Sequence, residues 1–175
     1  MILKILIGIA VLIAALLLFA ATKPATFHIE RSLAISASPG KMFALLDDFH
    51  NWSQWAPDEK GNSAIRRTYS GSISGAGAVS DWEGSGSAGK GRMTILESTS
   101  PSRIIVQVNW VKPFRARNIN QFVLSPEGTN TKVTWSMEGP NLYVMKLMSV
   151  FVNMDKQMGS HFEAGLANLK TAAER

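Results

Sequence analysis

The chain has 175 residues, a formal net charge of +5 and no cysteine. Its length allows one domain with a buried core, and the lack of cysteine excludes a disulfide framework, a thiol nucleophile and thiolate metal ligands. Without the first 23 residues, which contain Lys4 and Lys23, the net charge is +3 and is scattered along the sequence. This distribution excludes the concentrated basic surface by which proteins bind nucleic acid.

The first element is an uncharged, apolar run of 18 residues from Ile5 to Thr22. As an α-helix this run would span ~27 Å, which is close to the ~30 Å hydrocarbon core of a bilayer. We therefore predict a transmembrane anchor at residues 1–22. A linker at residues 23–26 and a globular domain at residues 27–175 are expected to follow.

A cleaved signal peptide is the alternative for this segment. Lys4 supplies the basic start of such a peptide, but the apolar run is longer than the usual core of about 7–15 residues. The candidate cleavage motifs, Leu18 with Ala20 or Phe19 with Ala21, place a large side chain where a small one is required. The pattern favours an uncleaved, single-pass membrane protein with its domain on the extracytoplasmic (periplasmic) side.

A strand and two short helices are predicted after the linker. Apolar residues alternate from Phe27 to Ile35 with the period of two that is typical of a β-strand. Arg31 falls on the apolar side of this strand, so we expect it at a sheet edge or at the mouth of a pocket. Ser38 and Pro39 are typical of an N-cap and a first helical position, and they predict a short helix over Lys41–Asp48. His50–Trp55 is predicted to continue as a second short helix or turn, which Pro57 ends.

Six further strands are predicted, separated by turns rich in glycine and proline. They lie at Ala64–Ser70, Ala78–Glu83, Gly91–Ser98, Arg103–Trp110, Ala116–Ser125 and Thr131–Glu138. Because the connections between successive strands are short, the pattern favours an antiparallel meander.

The last element is a helix predicted from Leu147 to Arg175, with one apolar stripe at steps of three and four residues. The stripe consists of Phe151, Met154, Met158, Phe162, Leu166, Leu169 and Ala173. Methionine adapts to varied apolar contacts, so we expect the first half of the helix to line a cavity and the leucine half to pack into a fixed core. Gly159 and Gly165, which are unfavourable inside a helix, indicate a close approach to the sheet.

Two possible cofactor motifs are better explained as ordinary structural features than as binding sites. Gly84–Gly89 formally matches G-x-G-x-x-G, but the following segment, Met93–Leu96, is predicted as a strand and not as the helix that binds phosphate. We interpret the motif as a glycine-rich hairpin. His28, His50 and His161 are far apart in sequence and lack the spacing of metal ligands. No cofactor and no metal are therefore expected.

Asp81 and Glu83 flank Trp82 and share one face of their predicted strand. We expect the two carboxylates to face solvent while Trp82 points inward. A general-acid role for such a carboxylate at a pocket is the alternative.

Several segments resemble one known family. They are Ser38–Phe43 with Trp52 and Trp55, Asp81–Gly84 with Gly89–Met93, and Lys132–Met137 with Asn153–Lys156 and Phe162–Lys170. Over residues 27–173 the chain resembles the polyketide cyclase/dehydrase-like members of the SRPBCC superfamily, the START and birch-pollen-allergen helix-grip group. The resemblance implies an α+β fold in which a seven-stranded antiparallel sheet grips the C-terminal helix around a hydrophobic cavity. That family includes lipid carriers, hormone binders and cyclases, and no catalytic set of residues can be carried over to this chain.

We therefore expect a membrane-anchored, monomeric domain that binds a hydrophobic or amphipathic small molecule, such as a lipid, in an internal cavity. The alternatives are an enzyme of the cyclase or dehydratase type and an interaction module with a collapsed cavity. The candidate cavity residues are Trp55, Trp82, Trp110, Trp135, Met137, Met148, Phe151, Met154, Met158 and Phe162. The candidate polar residues at the cavity mouth are Arg31, Asp81 and Arg117.

Overall fold

The computed structural model describes residues 1–57, 65–85 and 88–175, and its elements follow the predicted order. Helix α1 (Ile2–Ala21) is followed by strand β1 (Thr26–Ile35), helix α2 (Pro39–Leu46) and a 3-10 helix (Phe49–Gln54). The next strands are β2 (Ile65–Gly71), β3 (Ala78–Gly84), β4 (Lys90–Thr99), β5 (Arg103–Lys112), β6 (Ala116–Glu127) and β7 (Asn130–Pro140). The chain closes with α3 (Tyr143–Met148) and α4 (Met154–Ala173). Ala64, the predicted start of the second strand, lies outside the described residues.

The described strands form one seven-stranded antiparallel sheet in the order β1-β7-β6-β5-β4-β3-β2. Strands β2 to β7 make a meander because each is joined to the next by a short connection, as the sequence predicted. The first strand then pairs with the last, so β1 and β2 are the two edges of the sheet. Arg31 therefore lies on an edge strand, which is one of the two positions expected for it.

One end of the sheet lies next to helix α1. Strand β1 begins at Thr26, directly after the linker, and Thr26 pairs with Pro140 at the end of β7. Because neighbouring strands are antiparallel, the same end holds the starts of β2, β4 and β6 and the ends of β3 and β5. The pairing of Lys90 with Lys112 marks this end between β4 and β5. We call it the α1 end of the sheet.

Helix α2 begins where the sequence predicted. The Ser38 hydroxyl oxygen accepts a hydrogen bond from the Lys41 amide at 3.3 Å, and Pro39 occupies the first turn. The cap satisfies an amide that has no partner inside the helix. The helix then buries one face, formed by Met42, Phe43 and Leu46, against the core.

Helix α4 lies on the sheet, and two glycines permit the close contact. A Cβ atom at Gly159 would stand 1.9 Å from Nη2 of Arg31, and one at Gly165 would stand 2.7 Å from the Trp135 ring. At Gly165 the neighbour is a ring on strand β7, which confirms the close approach to the sheet. At Gly159 the neighbour is the flexible end of the Arg31 side chain, which extends from β1 and would have to move. Leu166 and Leu169 are buried below them in the core, as predicted.

The prediction of one continuous helix from Leu147 is wrong in its first part. Helix α3 ends at Met148, and α4 begins only at Met154 after a turn over residues 149–153. Asn153 caps the new helix because its side-chain oxygen accepts a hydrogen bond from the Lys156 amide at 2.9 Å. The break removes Phe151, which is 74% exposed, from the apolar stripe.

Helix α1 is apolar except for Lys4 in its first turn and, Ala20 apart, contributes no buried residue to the core. An 18-residue stretch of this helix has a mean hydropathy of 3.0, which suits either a membrane span or a signal sequence near the N-terminus. The end of α1 packs beside α3, where the Tyr143 hydroxyl donates a hydrogen bond to the Leu17 carbonyl at 2.8 Å. The apolar helix therefore joins the domain at the α1 end of the sheet.

Candidate functional site

A cavity of about 360 Å³ lies between the sheet and the layer formed by α4 and the 3-10 helix. This volume is within the range of small-molecule sites, roughly 300–1,000 Å³. Its apolar lining comes from both layers and consists of Trp52, Ala56, Pro57, Ile65, Trp82, Ala88, Met93, Val108, Trp110, Trp135, Met137, Met158 and Phe162.

The strand period explains how distant residues meet in this lining. Val108 and Trp110 are two residues apart on β5, and Trp135 and Met137 are two apart on β7. Side chains at such a spacing point to the same face of a sheet. Each strand therefore contributes a pair of apolar side chains to the face that α4 covers.

Trp135 is the central side chain of the inner cavity wall. Its ring stacks on Phe162 of α4 with ring centroids 4.1 Å apart and an interplanar angle of 5°. Its indole nitrogen donates a hydrogen bond to Oδ1 of Asn120 at 3.3 Å. Because aromatic stacking and the polar contact both restrict the ring, this wall has a defined shape.

Trp82 and Trp110 form a second aromatic pair at the other side of the cavity. Their rings meet edge to face with centroids 5.0 Å apart. Trp82 is buried, as its predicted inward orientation requires, and its indole nitrogen donates to the carbonyl of Ala88 at 3.0 Å. The glycine-rich connection between β3 and β4 thereby holds a cavity side chain in place.

The same connection is a hairpin that leads from β3 into β4. The Gly84 amide donates to the Gly89 carbonyl at 2.8 Å, and Gly89 has a φ of 63°, which favours glycine. The chain continues as a strand and not as a phosphate-binding helix, in agreement with the predicted hairpin. Gly86 and Ser87 of the motif lie outside the described residues.

Six of the ten candidate cavity residues line this cavity: Trp82, Trp110, Trp135, Met137, Met158 and Phe162. Trp55 does not, because it is fully buried behind Trp135, with its indole nitrogen bonded to the Leu45 carbonyl at 3.1 Å. Contact between these six lining residues and a ligand remains a prediction.

Met148, Phe151 and Met154 also lie outside the cavity lining. The turn over residues 149–153 changes the direction of the chain, so Met148 and Phe151 are exposed near α1. Met154 lies beside Lys23 in a separate surface depression. The expectation that the whole first half of the helix faces the cavity is therefore wrong, and only the part from Met158 onward does so.

Arg31 does not line the cavity, contrary to the expectation of a place at its mouth. Its guanidinium donates hydrogen bonds to Asp155 and Glu163, each at 2.9 Å. The hydrogen bond from Arg31 stabilises the charged carboxylate and so holds the pKa of Asp155 below its usual range. Arg31 thus ties the edge strand β1 to helix α4.

Asp81 and Arg117 are likewise absent from the cavity lining. Asp81 accepts two hydrogen bonds from Arg92, at 2.8 and 3.0 Å, on the outer face of the sheet. Glu83 pairs with Lys90 beside it, so the predicted solvent face for the two carboxylates is confirmed. Arg117 is exposed and donates to Asn109 at 3.3 Å. Strand alternation places all of these side chains opposite the cavity.

The polar groups of the cavity were not among the candidates. Arg67, Asn120 and His161 contribute polar side chains to the lining. Arg67 donates to the hydroxyl of the buried Ser80 at 3.4 Å, and the His161 ring lies 6.4 Å from the Trp135 ring. The cavity is therefore mainly apolar but has several polar atoms in its wall.

Two asparagines on β6 could have been found from the sequence. Asn118 and Asn120 share the inward face with Phe122 and Leu124, so their burial follows from the alternation. Oδ1 of Asn118 has no hydrogen-bond partner in the described part of the protein. A buried acceptor without a hydrogen-bond partner lowers the stability of the fold. Such a group is unusual in a strand that serves only to close the core.

The partly buried residues of the described lining lie toward the α1 end of the sheet. Ile65 lies at the start of β2 and Trp110 near the end of β5, and both are only partly buried. Met158, also partly buried, lies in the first turns of α4, close to the segment that borders Lys23. We call these partly buried residues the rim of the cavity.

Comparison with protein families gives one match. The sequence model of the family described as polyketide cyclase / dehydrase and lipid transport matches residues 26–174. None of the curated proteins matches the chain.

Solved structures share the fold at low sequence identity. A protein from Chromobacterium violaceum is 16% identical with a TM-score of 0.59, covering 87% of this chain and 99% of that one. Truncated norcoclaurine synthase from Thalictrum flavum is 14% identical with a TM-score of 0.60, covering 86% and 95% of the two chains. The di-domain ARO/CYC StfQ from the steffimycin biosynthetic pathway is 10% identical with a TM-score of 0.65, and the match covers 86% of this chain and 51% of that one. Likeness at this level concerns the fold alone.

Proposed function

The chain belongs to the polyketide cyclase/dehydrase and lipid transport family, and we propose that its cavity binds a hydrophobic or amphipathic small molecule while α1 holds the domain at a membrane. The observation that carries the first part is the apolar, aromatic cavity, whose partly buried rim lies toward one end of the sheet. Burial of a ligand's apolar surface contributes roughly 25 cal/mol per Å², so such a wall favours apolar ligands.

The ligand is proposed to be amphipathic because the cavity wall is not uniformly apolar. Asn120 and His161 lie in the lining beside Trp135, and Arg67 lies in the lining on β2. In small-molecule sites a few polar groups in an apolar cavity fix the orientation of the ligand. We propose that these side chains contact the single polar end of an otherwise apolar molecule.

Replacement of Met158 by tryptophan is expected to weaken binding of an apolar fluorescent probe without loss of folding. Met158 lies in the cavity wall and is only partly buried, so the larger ring can occupy empty volume. Fluorescence titration of residues 23–175 with a naphthalene-type or fatty-acid probe should show an affinity reduced about tenfold or more. The melting temperature should stay close to that of the unaltered domain.

Met148→Trp is the matched control, because this methionine is exposed and lies outside the cavity. It should leave probe affinity unchanged. Equal losses in the two variants, or an unaltered domain that binds no apolar probe, would overturn the proposal in favour of a solid interior.

A reaction of the cyclase or dehydratase type is the second candidate, and the placement of His161 in the cavity wall favours it. A histidine changes charge near neutral pH and can transfer protons. Native mass spectrometry separates the candidates, since a binding protein releases its co-purified ligand unchanged. When the same molecule is added back to the protein, an enzyme would instead convert it. His161→Gln would slow that conversion while leaving probe binding intact.

The proposed anchor makes a separate prediction about the full chain. Helix α1 is long enough to span a bilayer, and its side chains are not used in the core. After expression the full chain should remain in the membrane pellet during alkaline carbonate extraction, with an intact mass that includes α1. A chain that begins at residue 23 should be soluble. Release of a product that lacks α1 would show a cleaved signal sequence instead.

The side of the membrane follows from the charges at the two ends of α1. The amino terminus and Lys4, in the first turn of α1, lie at one end of the helix, and Lys23 follows the other end, which we take to place the domain on the extracytoplasmic side. Protease added to cells with a permeabilised outer membrane and an intact inner membrane should then digest the domain.

A further inference from the structure

We infer that the α1 end of the domain is a docking surface for an anionic lipid bilayer, so that the cavity mouth opens against the membrane. The inference rests on the proposed membrane anchor and adds a second contact with the same bilayer. The docking surface consists of two exposed segments: residues 143–152, which contain α3 and the following turn, and residues 111–115, which connect β5 to β6.

The first segment places exposed apolar side chains beside the end of α1. Tyr143 is 48% exposed, and Met148, Phe151 and Val152 are exposed as well. The hydrogen bond from Tyr143 to the Leu17 carbonyl joins this segment to the last turns of α1. If α1 spans the bilayer, those turns lie at its boundary, where aromatic side chains are favoured. The segment is therefore held at the level of the lipid headgroups.

The second segment reaches the same end of the sheet from its middle. Strand β5 ends at Lys112 and β6 begins at Ala116, and both positions belong to the α1 end. Val111 and Phe114 are exposed there, and Phe114 is 49% exposed. The loop therefore presents two apolar side chains to solvent at the same end of the sheet as the exposed residues of the first segment.

The charges of this surface suit an anionic membrane. Lys112 and Arg115 flank Phe114 in the second segment, and Lys146 lies within α3. Of the described carboxylates at this end of the sheet, Asp155 pairs with Arg31 and Glu83 with Lys90, while Glu138 is exposed on the outer face of β7. Basic residues mixed with exposed apolar ones are typical of segments that lie in the headgroup region.

The position of the cavity mouth gives the docking surface a function. Trp110 of the rim directly precedes Val111, and Met158 lies about one turn into α4 beyond the turn that carries Phe151. A bilayer that contacts both segments would therefore face the opening between them. An amphipathic ligand could then pass between bilayer and cavity without exposing its apolar surface to water.

The lack of cysteine in the chain allows a direct test in the full-length protein. Phe114→Cys and Phe151→Cys are each labelled with the polarity-sensitive fluorophore NBD and reconstituted in nanodiscs that contain phosphatidylglycerol. Ile73→Cys is the matched control, because Ile73 is 81% exposed but lies in the turn between β2 and β3, at the opposite end of the sheet. All three sites are at the surface, and melting of each labelled protein confirms that it is folded.

Docking predicts a blue shift of NBD emission at positions 114 and 151 and loss of most of the fluorescence when the lipids carry a doxyl quencher. Neither change is expected at position 73. In nanodiscs of phosphatidylcholine alone, quenching at position 114 should fall, because its basic neighbours lose their anionic partners.

The experimental outcomes that would contradict the anchor and those that would contradict docking are distinguishable from each other. A full chain that does not co-elute with nanodiscs would overturn the anchor and, with it, the docking surface. A chain that co-elutes while positions 114 and 151 behave like position 73 would overturn docking alone. Burial of these labels in native membranes but not in nanodiscs would show that a protein partner, and not lipid, covers the surface.

Discussion

Replacement of Trp135 by alanine should lower the free energy of unfolding by about 3–5 kcal/mol, the usual cost of removing a large aromatic side chain from a core. Trp135 is only 5% exposed and stacks on Phe162 of α4. Its removal would separate the sheet from the helix at the point where Gly165 permits their closest approach. It would also take the indole donor from Asn120 and leave that buried amide oxygen without this partner.

Chemical denaturation of residues 23–175, followed by far-ultraviolet circular dichroism, measures this loss. Trp135→Phe is the control, since it keeps a ring against Phe162 and should recover more than half of the lost stability. Probe affinity should fall in the alanine variant even under conditions in which it is folded, because one cavity wall is missing. A loss below about 0.5 kcal/mol, the range of surface substitutions, would contradict the placement of Trp135 in the core.

Replacement of Gly91 by alanine is the second change for which a large effect is expected. Gly91 of β4 pairs with Trp82 of β3, and a Cβ atom at Gly91 would stand 2.2 Å from that ring and 2.5 Å from the carbonyl oxygen of Asn109. The indole ring or the backbone of β5 must therefore move. Overpacking of this kind typically costs about 1–3 kcal/mol, and the displaced ring should also alter the cavity.

Gly40→Ala is the matched control for Gly91→Ala. Gly40 lies in the first turn of α2, and no atom lies within 4 Å of a Cβ at that position. Alanine there should leave the domain unchanged or stabilise it by about 0.4–1 kcal/mol, because it restricts the unfolded chain. Both variants are measured by the same denaturation experiment. Equal stabilities for the two would show that the space beside Trp82 is open and that glycine is not needed there.

The outward and inward faces of the sheet were predictable because a strand alternates its side chains. The outward orientation of Asp81 and Glu83 and the burial of Trp82 follow from their positions alone. The same rule applied to β6 identifies Asn118 and Asn120 as inward-facing, although they were not among the candidates. The signal for both buried asparagines, of which Asn120 lines the cavity, was therefore present in the sequence.

The partners of individual side chains were not predictable in this way. Arg31 could be assigned to an edge strand, but its two carboxylate partners come from a helix more than a hundred residues later. Trp55 and Trp135 are both buried tryptophans, and only their relative depth places one in the cavity wall and the other behind it. Local periodicity carries no information about such distances.

The sequence by itself determined the order of the elements, the phase of each strand and the apolar helix at the N-terminus. These are local properties, since alternation, helical spacing and a cap such as Ser38 act over a few neighbouring residues. Only the tertiary structure decided which part of the C-terminal stripe meets the sheet. The capped break at Asn153 turns Met148 and Phe151 toward α1 and leaves Met158 at the cavity, because contacts between distant segments decide what a buried face is packed against.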